Sequence, residues 1–156
     1  PMILYHGSNV EIKEIDLSKS KPNKDFGKAF YLSEDLKQAQ NMSKAKCIQF
    51  GGEPFVTQYT VDEQEMFQLA YKRFETYDSE WARFVYENRD ESMKFTHNYD
   101  IVFGPIADDY IGLQMRNFRL LRISFEQFLQ EIKYPKGMTF QYAFCTTAAI
   151  KLLKRL

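Results

Sequence analysis

Histidine is nearly missing from this chain: among 156 residues only His6 and His97 carry an imidazole. Neither has carboxylate help at helical spacing, so no zinc-type ligand set is present and no metal is expected. Cysteine is equally scarce. Cys47 and Cys145 lie far apart, lack metal-ligand spacing and read as free thiols of a reducing compartment. Net charge is absent, since 21 basic residues balance 21 acidic ones. Charge-driven nucleic-acid binding is therefore excluded as a property of the whole surface, and only a local basic patch is left open. No apolar run is long enough for a membrane span and no basic-plus-apolar leader is seen, so the expectation is a soluble cytoplasmic protein. The chain also lacks a Walker or dinucleotide glycine loop and a Gly-x-Ser-x-Gly elbow.

What the chain does have is aromatic bulk. Phe and Tyr number 14 and 10 against a single Trp. Such rings bury large areas and also line pockets for flat ligands. The length suits one domain with a full core.

Read in order, residues 2–6 form an apolar strand ending at His6, just before Gly7 and Ser8. Residues 9–24 read as a loop pinned by Glu11, Ile12 and Ile15. Gly27 marks a turn, and Phe30, Tyr31 and Leu32 favour an extended backbone. Ser33, Glu34 and Asp35 then open a helix to about Lys46, with Leu36, Ala39 and Met42 as its apolar stripe. After the Gly51-to-Pro54 turn, residues 55–61 and 66–74 read as strands. Asp78 or Ser79 caps a helix over residues 79–89, with Trp81, Phe84 and Val85 on one face and Asn88 and Arg89 at its end. Residues 99–103 are a strand broken by Gly104 and Pro105. Helices follow over residues 107–117 and 124–133, the second with a Ser124–Gln127 capping box. Pro135, Lys136 and Gly137 mark a turn, residues 138–145 a strand, and Thr146 or Thr147 a last helix carrying Ala149, Ile150, Leu152 and Leu153. Strands with irregularly interspersed helices predict an α+β fold.

Three residues form an unusual arrangement. His6 ends one strand, Tyr31 sits on a strand that runs into a helix, and Gln141 lies early in a late strand. Each has an ordinary reading as well: a strand end, a core ring and a solvent-facing amide. Cys145 reads as a buried strand residue rather than a partner of His6. Arg116, Arg119 and Arg122 recur every three positions, either as a nucleic-acid stripe or as a solvated helix face.

The set Tyr5-His6-Gly7-Ser8 and Gly27-Lys28-Ala29-Phe30-Tyr31 resembles the first two motifs of the diphtheria-toxin-like and poly(ADP-ribose)-polymerase-like ADP-ribosyltransferases. Adding Lys24-Asp25-Phe26-Gly27, Phe30-Tyr31-Leu32-Ser33, Tyr99-Asp100-Ile101-Val102, Gly104-Pro105-Ile106-Ala107-Asp108-Asp109 and Gln141-Tyr142-Ala143-Phe144, nearly the whole chain resembles a bacterial family of unknown function assigned to that superfamily. The resemblance implies split β-sheets with surrounding helices and NAD as co-substrate, without a metal. It implies that His6 bonds the NAD ribose, that the Gly7 backbone grips the nicotinamide carboxamide, that Ser8 lies toward the adenosine half and that Tyr31 stacks on the nicotinamide. Asp25, Phe26, Gly27, Phe30, Ser33 and Met42 complete the expected binding set.

Two positions depart from the pattern. Met42 stands where many members carry a second aromatic, and a thioether packs on a ring with less defined geometry. Gln141 stands where the superfamily has a catalytic glutamate. Cleavage of the nicotinamide–ribose bond builds oxocarbenium character that a carboxylate stabilises. A neutral amide forgoes about 3 kcal/mol of that, around a hundredfold in rate. Asp108 and Asp109 are candidate substitutes or caps of the following helix. Asp25 reads equally as a turn residue, and Asn88 with Arg89 either binds a phosphate or closes a helix. The resemblance thus implies a mono-ADP-ribosyltransferase acting on a protein or nucleic-acid acceptor, toxin-like or regulatory, with a neutralising protein partner. The alternative is a weakly active or inactive NAD-binding module of the same fold.

Overall fold

Seven strands and six α-helices occur among residues 1–133 and 137–156, which the computed structural model describes. The first sheet is built from alternation. β1 (Met2–Ser8) pairs antiparallel with β3 (Phe55–Val61), and β7 (Lys154–Arg155) adds to the far edge of β3. Odd and even residues of β1 face opposite ways. Leu4 enters the core between the sheets, while Gly7 meets α1 (Leu36–Phe50) on the outer face. An added Cβ at Gly7 would stand 2.0 Å from the Ala39 carbonyl oxygen, so strand and helix backbones touch there.

The second sheet runs β2 (Phe30–Leu32), β6 (Phe140–Phe144), β5 (Ile101–Pro105) and β4 (Tyr71–Arg73), with only the β4–β5 pair parallel. Its two faces carry two cores. Phe30, Leu32, Phe103, Tyr142 and Phe144 face the first sheet. Val102 and Ala143 face α3 (Ser79–Arg89), α4 (Asp109–Arg119) and α5 (Phe125–Ile132), where Trp81, Met115 and Phe128 are fully buried. The Trp81 indole N–H donates to the Pro105 carbonyl at 3.0 Å, so the largest core ring leaves no polar atom unpaired. The layer order is helix, sheet, sheet, helices, and the α+β expectation holds.

Several boundaries differ from the sequence reading. The strand expected over residues 66–74 is α2 (Glu63–Phe67) followed by β4. Asp62 caps that helix by accepting the Gln64 N–H, Glu63 and Glu65 suit its first turn, and Met66 plugs the core between the sheets. Gly104 and Pro105 do not break β5. Gly104 pairs with Gln141, and its bare Cα lets Phe26 and Phe74 close on the strand. The last helix, α6 (Thr147–Ile150), is a single turn capped by Thr146, after which the chain returns as β7 to close the β3 edge. The helix expected to end near Lys46 continues to Phe50, where Gly51 takes φ +81°. Of the expected turn at Pro135, Lys136 and Gly137, the first two lie outside the described residues.

Two glycines with opposite surroundings give a paired test. Gly7→Ala is expected to destabilise by about 3 kcal/mol, because α1 must leave the strand. Gly112→Ala, mid-helix in α4 with only the Arg89 guanidinium at 3.5 Å, is expected to stabilise by about 0.5–1 kcal/mol. Urea midpoints of the two variants check both signs.

Candidate functional site

The two sheets meet at one bridge. Tyr5 and Ser33 exchange both backbone hydrogen bonds, at 2.8 and 2.9 Å, and join β1 to the end of β2. One step further the strands part. In a continued ladder Gly7 would bond Tyr31; instead the His6 imidazole takes the Tyr31 carbonyl, Nδ1 to oxygen, at 2.6 Å. A carbonyl only accepts, so Nδ1 carries the proton and Nε2 is left as an acceptor. Phe30 stacks on the imidazole at 4.0 Å between centroids and fixes its plane. Burial, with the Lys46 ammonium nearby, lowers the His6 pKa to about 3, so the ring is neutral under ordinary conditions.

Alternation turns the Gly7 N–H and C=O the same way as those of Tyr5, away from β3 and into the parting of the strands. Lys46 on α1 donates to that Gly7 carbonyl at 2.7 Å. Ser8 is buried, and its hydroxyl accepts the Val10 N–H. Ser33 likewise accepts the Asp35 N–H, which sets up Asp35 as the cap of α1.

Tyr31 points to the helical face of the second sheet. Its hydroxyl donates to the Gly27 carbonyl at 2.6 Å and accepts the Phe26 N–H at 3.1 Å, so the ring is bound to the turn before it. Burial holds its phenol well above the usual range. Gln141 shares this face: Tyr31 pairs with Ala143, two residues along β6, which makes Gln141 a diagonal neighbour of Tyr31. The backbone therefore brings His6, Gly7 and the Tyr31 carbonyl together at the parting, while the Tyr31 and Gln141 side chains lie on the helical face of the second sheet. Phe26 and Phe30 are core residues that brace the parting, and Met42 is exposed on α1.

The other candidates are tied elsewhere. Asp25 pairs with Arg89 at 2.6 Å, and its second oxygen accepts the Ala107 N–H at 3.2 Å. Asn88 is buried, donates to the Phe84 carbonyl and sets its Oδ1 against Gly27, whose φ is +87°. Asp108 caps α4 through the Ile111 N–H, and Asp109 is exposed in its first turn. The arginine stripe is broken: Arg119 pairs with Asp90 and lies over Tyr86, while Arg122 is beyond the helix.

Cys145 lies by His97 rather than His6, at 4.0 Å, and burial pushes its thiol up to about 12, which is no activated thiolate. Among the described residues no group of three His, Cys, Asp or Glu is placed to hold a metal, and no helix is long and apolar enough to cross a membrane. Two surface hollows, by Asp62–Gln68 and by Glu14–Lys19, include none of His6, Tyr31 or Gln141.

Sequence reasoning passed over Lys46 and His97. Lys46 follows Ala39 and Ser43 at helical spacing, a cation placed in an otherwise buried stripe, and that was a legible signal. His97 donates from Nε2 to the Phe26 carbonyl and accepts the Tyr99 N–H, a clamp that no local pattern announces.

The depressed His6 pKa sets a pH dependence. Between about 6.5 and about 3 the unfolded chain takes up a proton that the native imidazole refuses, so stability falls with pH by about 1.4 kcal/mol per unit. His6→Asn keeps an N–H for the Tyr31 carbonyl and removes the titration. The stability gap between wild type and this variant should narrow from about pH 7 to about pH 4 in urea unfolding; a constant gap refutes the assignment.

No curated protein and no solved structure matches the chain. A family model does, over residues 2–155, under the description "Protein of unknown function (DUF3990)". Since the match spans nearly the whole chain, the protein belongs to that family.

Proposed function

We propose that this domain binds NAD in the parting between β1 and β2 and acts as a mono-ADP-ribosyltransferase. The observation that carries the reading is the neutral His6, locked by the Tyr31 carbonyl with Nε2 free to accept, beside the outward-facing Gly7 N–H and C=O. A ribose hydroxyl suits the first and a carboxamide, donor and acceptor together, suits the second. Tyr31, held by its own turn, supplies a ring for a flat nicotinamide, and two sheets opening from one bridge agree with the split-sheet architecture that the sequence motifs imply. Gln141 would orient the ribose, and a nucleophile on a macromolecule would take the anomeric carbon as nicotinamide leaves.

A second reading is favoured by the carboxylates. Gln141 brings no charge, Asp25 is occupied by Arg89, and Asp108 caps a helix. No fixed negative charge in this set faces the parting, so a binding module with little turnover also fits the residues.

Transfer of labelled ADP-ribose from NAD to lysate proteins and nucleic acids, together with NAD hydrolysis, is the test. Tyr31→Ala should raise the NAD concentration needed about tenfold or more. Gln141→Glu should raise turnover by around a hundredfold. If NAD neither binds nor turns over, the reading falls; if it binds without turnover and Gln141→Glu restores activity, the second reading stands.

A further inference from the structure

Side chains of the second sheet stack across three strands on the face toward the first sheet. Arg73 on β4 pairs in register with Phe103 on β5, and its guanidinium lies over that ring, 4.3 Å from the centroid. Phe140 on β6 lies parallel to Phe103, at 3° and 5.2 Å between centroids. Because β5 runs between β4 and β6, the guanidinium and the second ring take opposite sides of Phe103. Glu75 holds Arg73 by a salt bridge, so the β4 end of the stack is complete: ring, planar cation and carboxylate.

The β6 end has the same parts without the cation. β2 pairs with β6 only as far as Leu32 and Tyr142, and Ser33 turns to Tyr5 instead. Among the described residues no strand therefore flanks Phe140 on the side away from β5, and its ring is half-buried. The register carries Glu34 abreast of Phe140, and alternation puts both side chains on one face. On that face the Tyr142 hydroxyl donates to Glu34 Oε1 at 3.0 Å, and Gln38, one turn further into α1, donates to the Phe140 carbonyl at 3.4 Å. Burial above all holds the Tyr142 phenol well above its usual range, so it stays the donor and Glu34 the acceptor. Glu34 is exposed and, among the described residues, has no cationic partner.

We propose that Phe140 and Glu34 form a docking site for an arginine side chain of a protein partner, its guanidinium lying on the outer face of Phe140 and pairing with Glu34 as Arg73 does with Phe103 and Glu75. A flat ring beside a carboxylate selects the planar, forked guanidinium over a lysine ammonium. Phe140 and Gln141 point to opposite faces of the sheet, so this contact does not depend on the NAD reading.

Titrating the isotope-labelled full chain with the capped peptide Gly-Gly-Arg-Gly-Gly, its lysine counterpart and AMP, followed by NMR, tests the site. The arginine peptide should shift the amide signals of Glu34, Gln38 and Phe140 at millimolar concentration, and the lysine peptide should bind about tenfold more weakly. Glu34→Gln keeps an acceptor for the Tyr142 hydroxyl and removes the charge; it should weaken the arginine peptide about tenfold and flatten its salt dependence. Phe140→Leu, checked for folding by thermal melts, should weaken it about threefold. Equal affinity for the two peptides, or an unchanged affinity in Glu34→Gln, overturns the site. So does AMP binding at these signals in preference to the arginine peptide, which would make the ring a nucleobase platform, and so does the absence of binding by all three probes.

Discussion

One hydrogen bond, from the His6 imidazole to the Tyr31 carbonyl, decides the shape of the junction between the two sheets. A β-ladder propagates wherever donors and acceptors meet in register, and the Tyr5–Ser33 bridge places the next pair within reach. By taking the carbonyl, a side chain ends the ladder after one bridge and leaves the Gly7 carbonyl to the Lys46 ammonium. Phe30 beneath the ring and Gly7 against α1 hold the arrangement from both sides. Burial that keeps the imidazole neutral also preserves Nε2 as an acceptor, so packing, protonation and hydrogen-bond direction agree.

Charge is distributed with the same economy. The chain is neutral as a whole, yet its acids and bases are sorted in space. Asp25 gathers Arg89 and the Ala107 amide and so ties the loop before β2 to the end of α3 and the start of α4. Among the described residues Lys46 has no ion-pair partner and leans on a backbone carbonyl. The first arrangement pairs its charge across the fold; the second sets a cation against the strand backbone at the parting.

Local physics made much of this legible. Caps read from Asp78, Ser124 with Gln127, and Thr146 are present because a side-chain oxygen three residues from a free N–H needs no distant help. Strands over residues 30–32 and 55–61 follow from ring-rich and β-branched segments. Failures occurred where distant packing overrode local preference: residues 63–67 turn helical because Met66 fills the space between the sheets, and residues 154–155 become a strand because β3 has an open edge. The grouping of His6, Tyr31 and Gln141 came from motif resemblance, whereas the tautomer of His6, the pairing of Asp25 and the bond from Lys46 to the Gly7 carbonyl depend on neighbours far along the chain, even though the Lys46 position on its helix stripe was readable.

Strand order has a kinetic consequence. β1, α1 and β3 lie within the first 61 residues and can assemble from near neighbours, but β2 finds its partner in β6, near the far end of the chain. Pairings of such long sequence separation form late. The imidazole half of the parting can therefore be built early, while the half carrying the phenol and the amide waits for the last strands to dock. A nascent or partly folded chain therefore has only half of the parting in place, and the junction of the two sheets is completed only when the last strands dock.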